Sequence, residues 1–205
     1  MIPSTSQLGQ DITVIEYYNK KRRGFFVEIG ANDGMNLSNT YILEKNYNWR
    51  GICVEPDPRK LFALKNNRPR STCVDAAIYS YSGGLEPFTL SENNGLYSGL
   101  TRHLNATREE IGTPENIYVK TMTLLDLLEE HKAPKFIEYL SLDTEGSEFQ
   151  ILYAFDFSKY EFGIIDVEHN FIEPNRSQIR NVLESNGYVF VGSNHWDDRY
   201  RHHTV

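Results

Sequence analysis

The sequence predicts an α/β fold in three layers, a mostly parallel seven-stranded sheet with helices on both faces. Three observations lead there. Short apolar and aromatic runs alternate with helix-patterned segments along the 205 residues, the order in which a parallel sheet is buried by its own crossover helices. Several runs end in an acid, at Glu28, Glu55, Asp75 and Asp143. Carboxyl ends of neighbouring parallel strands form the ligand-binding edge of an open α/β sheet, so these four acids are expected on one edge. There is no internal repeat, low-complexity segment or linker, so residues 1–205 are expected to form a single domain.

In chain order, residues 1–22 form an N-terminal helix region, with the helix over 7–20 and Ile12, Ile15 and Tyr18 near one stripe. "GFFVEI" from Gly24 is the first strand, a helix spans Ser38 to Asn46, and "GICVE" is the second strand. Asp57-Pro58 suits a helix start, since Asp caps and proline fits the first helical position. "STCVDA" is the third strand. Residues 85–90 and 117–121 read as strands flanking a long polar stretch, and Thr123 with Asp126 resembles a capping box for "LLDLLEEH". "KFIEYLSLD" and "FGIIDVEH" are the fourth and fifth strands, with a helix around "SEFQILYAF" between them. A helix stopped by Gly187 precedes "YVFVG", the sixth strand, and the last strand falls within "DRYRHHTV".

Forty per cent hydrophobic residues with 13% aromatics indicate a packed globule. The charge of 21 minus 28, or −7, excludes a broad nucleic-acid footprint, which needs concentrated positive charge. Lys20 to Arg23 reads as a solvated helix end; Arg199 to His203 lies close enough to the expected ligand edge for contact with an anionic substrate. No run reaches the length of a membrane span, and the N-terminus lacks the charged start and apolar stretch of a secretory signal. Cys53 and Cys73 read as buried free thiols, since two cysteines make no disulfide framework. Sequons occur at Asn36, Asn105 and Asn175, but a glycan on Asn36 would block the "GANDG" loop. The expected compartment is cytoplasmic and reducing.

The loop after the first strand, "EIGANDGMNLSNT", decides the ligand class. A dinucleotide fingerprint G-x-G-x-x-G would need glycine where Asn32 and Met35 stand. What stands there is E-x-G-x-x-x-G: Glu28, Gly30 and Gly34. This resembles motif I of class I S-adenosylmethionine (SAM) methyltransferases, which have a Rossmann-like fold. "GANDG" also suits an ordinary surface turn; the downstream acids weigh against that reading. Four acids at one edge repel unless a cation is shared, and SAM carries a sulfonium and an ammonium. In this reading Glu28 accepts from the methionyl ammonium with help from Asn32 or Asp33, and Ser38 follows in the same loop. Glu55 accepts the ribose hydroxyls, and Asp75 beside Ala76 receives the adenine amino group. Asp143 closes the set.

"SQLGQD", "FFVEIGANDGMNLSNTYILEKNYNWRGICVEPDP", "LSLDTEGSEFQIL", and "VEHN" followed by a helix and "NGY" resemble the FkbM family of SAM-dependent methyltransferases over about residues 6–192. The resemblance implies O-methylation, commonly of a sugar hydroxyl in a glycan or glycoconjugate. A sugar hydroxyl needs a base, a metal or both. Asp143, Glu168 and His169 are similar to the divalent site of catechol-type O-methyltransferases, with His169 replacing an amide; Mg²⁺ or Mn²⁺ is the expected ion. His169 as a metal-free base, and Glu168 with His169 as a helix cap, stay open. Glu145 is a spare carboxylate, for SAM or for a cap. Asp166 needs a partner if buried.

Acceptor binding is expected from residues 91–116, as a mobile lid or a hairpin turned at Asn93-Asn94-Gly95, and from residues 193–205. Tyr97, His195, Trp196 and Asp197 are the candidates; Asp197 and Asp198 lack the D-x-D spacing of a nucleotide-sugar metal site. Two other functions stay open: methylation of a non-sugar acceptor, and a non-catalytic SAM-binding module of a larger glycan-synthesis protein.

Overall fold

The computed structural model describes residues 3–93 and 95–204. The chain begins with α1 (Gln10–Tyr17), β1 (Phe25–Ile29), α2 (Tyr41–Tyr47), β2 (Arg50–Val54), α3 (Leu61–Asn67) and β3 (Thr72–Val74). It continues with β4 (Ala77–Ile78), β5 (Leu85–Leu90), β6 (Gly99–Leu100), α4 (Arg108–Ile111), β7 (Glu115–Met122) and α5 (Leu124–Glu130). The last third holds β8 (Phe136–Leu142), α6 (Glu148–Ala154), β9 (Glu161–Glu168), α7 (Asn175–Ser185), β10 (Tyr188–Asn194) and β11 (Asp197–His202).

Seven strands form the main sheet in the order β10-β11-β9-β8-β1-β2-β3. β1, β2, β3, β8 and β9 pair in parallel, and β11 runs antiparallel between β9 and β10. The central strands are buried on both faces and read as near-continuous apolar runs, as parallel strands do. Helices cover both faces. Leu127 and Leu128 of α5, Ile151 and Leu152 of α6 and Leu183 of α7 pack with the β8 and β9 side chains Leu140 and Ile165. Val14 of α1, Leu43 of α2 and Leu64 of α3 form the other core with Phe26 and Tyr139.

Strand order reverses at β1, which pairs β2 on one side and β8 on the other. This switch point opens a crevice at the strands' carboxyl ends. There Gly30 has φ 84°, and a Cβ on it would lie 1.9 Å from the Asp143 carbonyl oxygen. The glycine is thus demanded first by the close approach of two strand ends.

Several local expectations are corrected. Asp57-Pro58 opens a turn, because Asp57 spends its carboxylate on the Arg59 amide (2.9 Å) and guanidinium, and α3 starts only at Leu61. Thr123 caps α5 through the Asp126 amide (3.0 Å), but the Asp126 carboxylate bonds Ser82 instead of closing the box. The strands expected at 85–90 and 117–121 are β5 and β7, and with β4 and β6, which were not expected, they build a second sheet in the order β4-β7-β5-β6. The polar stretch also holds α4, with a complete capping box from Thr107 and Glu110. Of the turn expected at Asn93-Asn94-Gly95, Asn94 lies outside the described residues. Cys53 is buried and Cys73 half-buried; both are free and sit in register on β2 and β3. No helix among the described residues is long and apolar enough to cross a membrane.

Candidate active site

A cavity of about 330 Å³ occupies the crevice, floored by the carboxyl ends of β1, β2, β8 and β9. The second sheet supplies another wall, through Phe88 and Leu100, and the segment between them adds Leu96 and Tyr97. The volume is at the lower end of small-molecule sites, roughly 300–1,000 Å³.

Six of the expected cofactor residues line it: Gly30, Asn32, Ser38, Glu55, Ala76 and Asp143. Glu55 accepts the backbone N–H groups of Asn32 (2.8 Å) and Asp57 (2.9 Å), joining the β1 loop to the β2 end. Burial pushes its carboxyl up to about 7. The Asn32 side-chain oxygen is buried without a donor among the described residues.

Four expected cofactor residues do not line the cavity. Glu28 sits within β1, one residue before its end, and points into the layer beneath the loop. It accepts from the Asn39 amide (2.7 Å), Ser38 Oγ (2.9 Å), Thr40 Oγ1 (2.7 Å) and the Arg68 guanidinium (3.0 Å). Arg68 is only 1% exposed and also bonds Glu44 (3.0 Å) and Thr40 (2.7 Å). Glu28 therefore fastens the loop from behind. Asp33 accepts the Met35 (2.9 Å) and Asn36 (2.8 Å) amides in a local turn. A Cβ on Gly34 would meet Leu64 (2.6 Å) and Arg68 (2.7 Å), so packing on α3 requires that glycine. Asp75 is exposed in the short link between β3 and β4.

At the ends of β8 and β9, Asp143 follows β8, Glu168 ends β9, and Glu145 enters from the turn before α6 with φ 61°. Their carboxylate oxygens all lie within 4.8 Å of one another. Glu145 is thus a cavity residue, and Glu148 does the local capping, accepting from the Thr144 (2.7 Å) and Gly146 (3.2 Å) amides. Burial, then neighbouring acids, raise Asp143 to about 7 and Glu145 to about 9, and hold Glu168 well above the usual range.

These groups titrate higher in the folded chain than in the unfolded one. Their contribution is fully present below the unfolded values near 4 and is lost as pH rises through about 7 to about 9. The ligand-free protein is therefore expected to melt about 5 °C or more lower at pH 9 than at pH 6, at roughly 2–4 °C per kcal/mol for this size. Glu145→Gln should shrink that drop. Scanning calorimetry in chelator-treated buffer checks it; a melting temperature flat or rising over this window would contradict the placement of the acids.

His169 is not part of this cluster. The chain turns away after β9, so His169 Nδ1 accepts the Phe171 amide (2.9 Å) and Nε2 lies 3.3 Å from Asp198 Oδ1. Asp198 also takes both arms of Arg176 (2.9 and 2.8 Å). His169 thus neither faces the cavity nor shares a ligand position with Asp143 and Glu168, contrary to the sequence expectation. Asp166 has the partners its burial demands, Arg199 (2.6 Å) and Tyr139 (2.7 Å), and Arg199 is thereby committed.

Among the expected acceptor residues, Tyr97, Trp196 and Asp197 line the cavity, and His195 does not. His195 and Trp196 form the two-residue turn of the β10–β11 hairpin, with His195 exposed at φ 55°. Asp197 pairs in register with Glu168, which brings it to the wall. Burial raises its carboxyl to about 6. The sequence reading missed Gln7, Gln10 and Asn170 as lining residues; each lies outside any strand end, where the acid pattern gives no signal.

A parallel sheet reversing at β1, an antiparallel β11 beside β9, and a strand-end cavity with an acid after β2 define a class I SAM-dependent methyltransferase. The chain belongs to the FkbM methyltransferase family: the model of the methyltransferase FkbM domain matches residues 28–190. Solved structures share the fold at low identity. Precorrin-6y C5,15-methyltransferase from Geobacter metallireducens has TM-score 0.50 and 11% identity, covering 93% of this chain and 84% of its own. The METTL16 methyltransferase domain has TM-score 0.53 and 10% identity, covering 98% and 68%. A TehB-like SAM-dependent methyltransferase from Corynebacterium glutamicum has TM-score 0.50 and 8% identity, covering 94% and 86%. A search of curated proteins gave no match.

Proposed function

We propose that this methyltransferase methylates the oxygen of a sugar hydroxyl in a glycan or glycoconjugate, with a divalent ion held by Asp143, Glu145 and Glu168. The observation that carries the metal is the trio itself, with oxygens within 4.8 Å of one another. The donor set fits such an ion: Glu168 is 8% exposed, and its Oε2 has no hydrogen-bond partner among the described residues. Three carboxylates without imidazole favour Mg²⁺, with Mn²⁺ next. A bound ion would orient the acceptor hydroxyl and lower its pKa.

The remaining roles fall to the chain's own groups. Glu55 holds the β1 loop and presents its carboxylate to hydroxyls of the cofactor's ribose. Transfer is an in-line displacement at the sulfonium methyl, so the acceptor oxygen must be aligned. Tyr97 and Trp196 offer aromatic faces to a sugar ring, and Asn170 and Asp197 offer polar contacts. The test is transfer from labelled SAM to a panel of glycans, phenols and lipids, with and without EDTA. Sugar methylation that falls about tenfold or more with EDTA, and returns with Mg²⁺ or Mn²⁺, is expected. Transfer to phenols alone would remove the sugar, and EDTA-insensitive transfer would remove the metal.

A further inference from the structure

The family match spans residues 28–190, yet Gln7, Gln10, Trp196 and Asp197, all outside it, line the cavity. They come from two segments clamped to each other. Residues 4–9 run as a strap ahead of α1. Buried Asp11 fastens it, accepting from Ser4 Oγ (2.6 Å), Ser6 Oγ (2.7 Å) and the Thr5 amide (2.9 Å). On one side the strap rests on the loop after β1, where Ser6 bridges Leu37 and Thr5 Oγ1 donates to the Ser38 carbonyl (3.1 Å). On the other it is tied to the β10–β11 hairpin. Asn194 Nδ2 donates to the Leu8 carbonyl (2.8 Å), and Gln10 Nε2 donates to Asp197 Oδ2 (2.6 Å).

The Gln10 amide is used at both ends, since its Oε1 accepts the Leu8 N–H (2.9 Å). It binds Asp197 and keeps little for a substrate. Asp197 differs: its Oδ2 is held by Gln10, its Oδ1 takes no donor among the described residues, and it lines the cavity next to Trp196. A carboxylate fixed in one orientation with an oxygen to spare receives a hydroxyl proton well, and an adjacent indole suits the C–H face of a ring. We propose that strap and hairpin form one clamp that selects the acceptor, with Gln10 as the positioning residue that presents Asp197 to an acceptor hydroxyl. The inference rests on the methyl-transfer reading above and adds the elements that confer acceptor choice.

Gln10→Met keeps the side chain's length and removes both hydrogen bonds. With the acceptor that the wild type methylates best, this variant should raise the acceptor KM about tenfold or more. Its affinity for S-adenosylhomocysteine (SAH), read by calorimetry, should stay within about threefold. The exchanged pair Gln10→Glu with Asp197→Asn re-forms the hydrogen bond with the charge moved to the strap. It should recover the melting temperature while the acceptor KM stays raised; a purely structural role would recover both. An unchanged KM in Gln10→Met, KM recovery in the exchanged pair, or a parallel loss of SAH binding would overturn the clamp. A wild type that binds SAH but methylates nothing in the panel sinks the proposed function and the clamp together; normal transfer by Gln10→Met sinks the clamp alone.

Discussion

Glu168→Gln is expected to lower kcat by roughly 10²–10³ while leaving SAH affinity within about threefold, the range for losing one member of an activating site. Glutamine keeps the shape of the buried side chain and removes one of the three charges that converge on the cavity. Glu168 lies at the end of β9 beside Asp143 and Glu145, two strands from β1 and its loop in the order β9-β8-β1, so the effect is expected in the chemical step. Misfolding does not explain such a loss. Burial and neighbouring acids already disfavour the charged Glu168, so a neutral isostere should melt at or above the wild-type temperature at pH 8. Steady-state kinetics beside a melting curve separates the two cases. Wild-type kcat in this variant would remove the trio from the reaction.

Much of the fold was legible because each central strand is a short apolar run with its acid or turn at the end. The site was legible where the acid falls at or just beyond the strand. Glu55 follows Val54, Asp143 follows Leu142, and Glu168 ends β9, so their side chains reach the carboxyl edge. Glu28 looks the same in sequence but sits inside β1, where the pleat sends it to one face and onto Arg68. That difference of one or two residues exceeds what a motif resolves. His169 and Glu145 exchanged places for a similar reason. Adjacency to Glu168 suggested a shared site, whereas the turn after β9 carries His169 to Asp198 and a left-handed turn brings Glu145 inward. Of the second sheet, β5 and β7 were legible as strands, whereas β4 and β6 are two residues each, too short for any periodicity, and so the sheet as a unit was hidden. The strap was hidden because its meaning is a contact between residues 10 and 197.

Glu55→Gln is expected to weaken SAH binding by roughly 10–100-fold, the worth of hydrogen bonds to a charged group. The carboxylate takes backbone N–H groups on both of its oxygens, from Asn32 and from Asp57, and keeps further acceptor capacity toward the cavity. An amide in its place sets an N–H donor against one of those backbone donors and halves what remains for two ribose hydroxyls. Loop and ligand are lost from the same contact. The most direct test of the central claim, that the strand-end cavity is the cofactor site, is calorimetric titration of wild type and Glu55→Gln with SAH. Saturable one-to-one binding to the wild type, weakened by about tenfold or more in the variant, is the expected result. No binding to the wild type, or undiminished binding to Glu55→Gln, would contradict it.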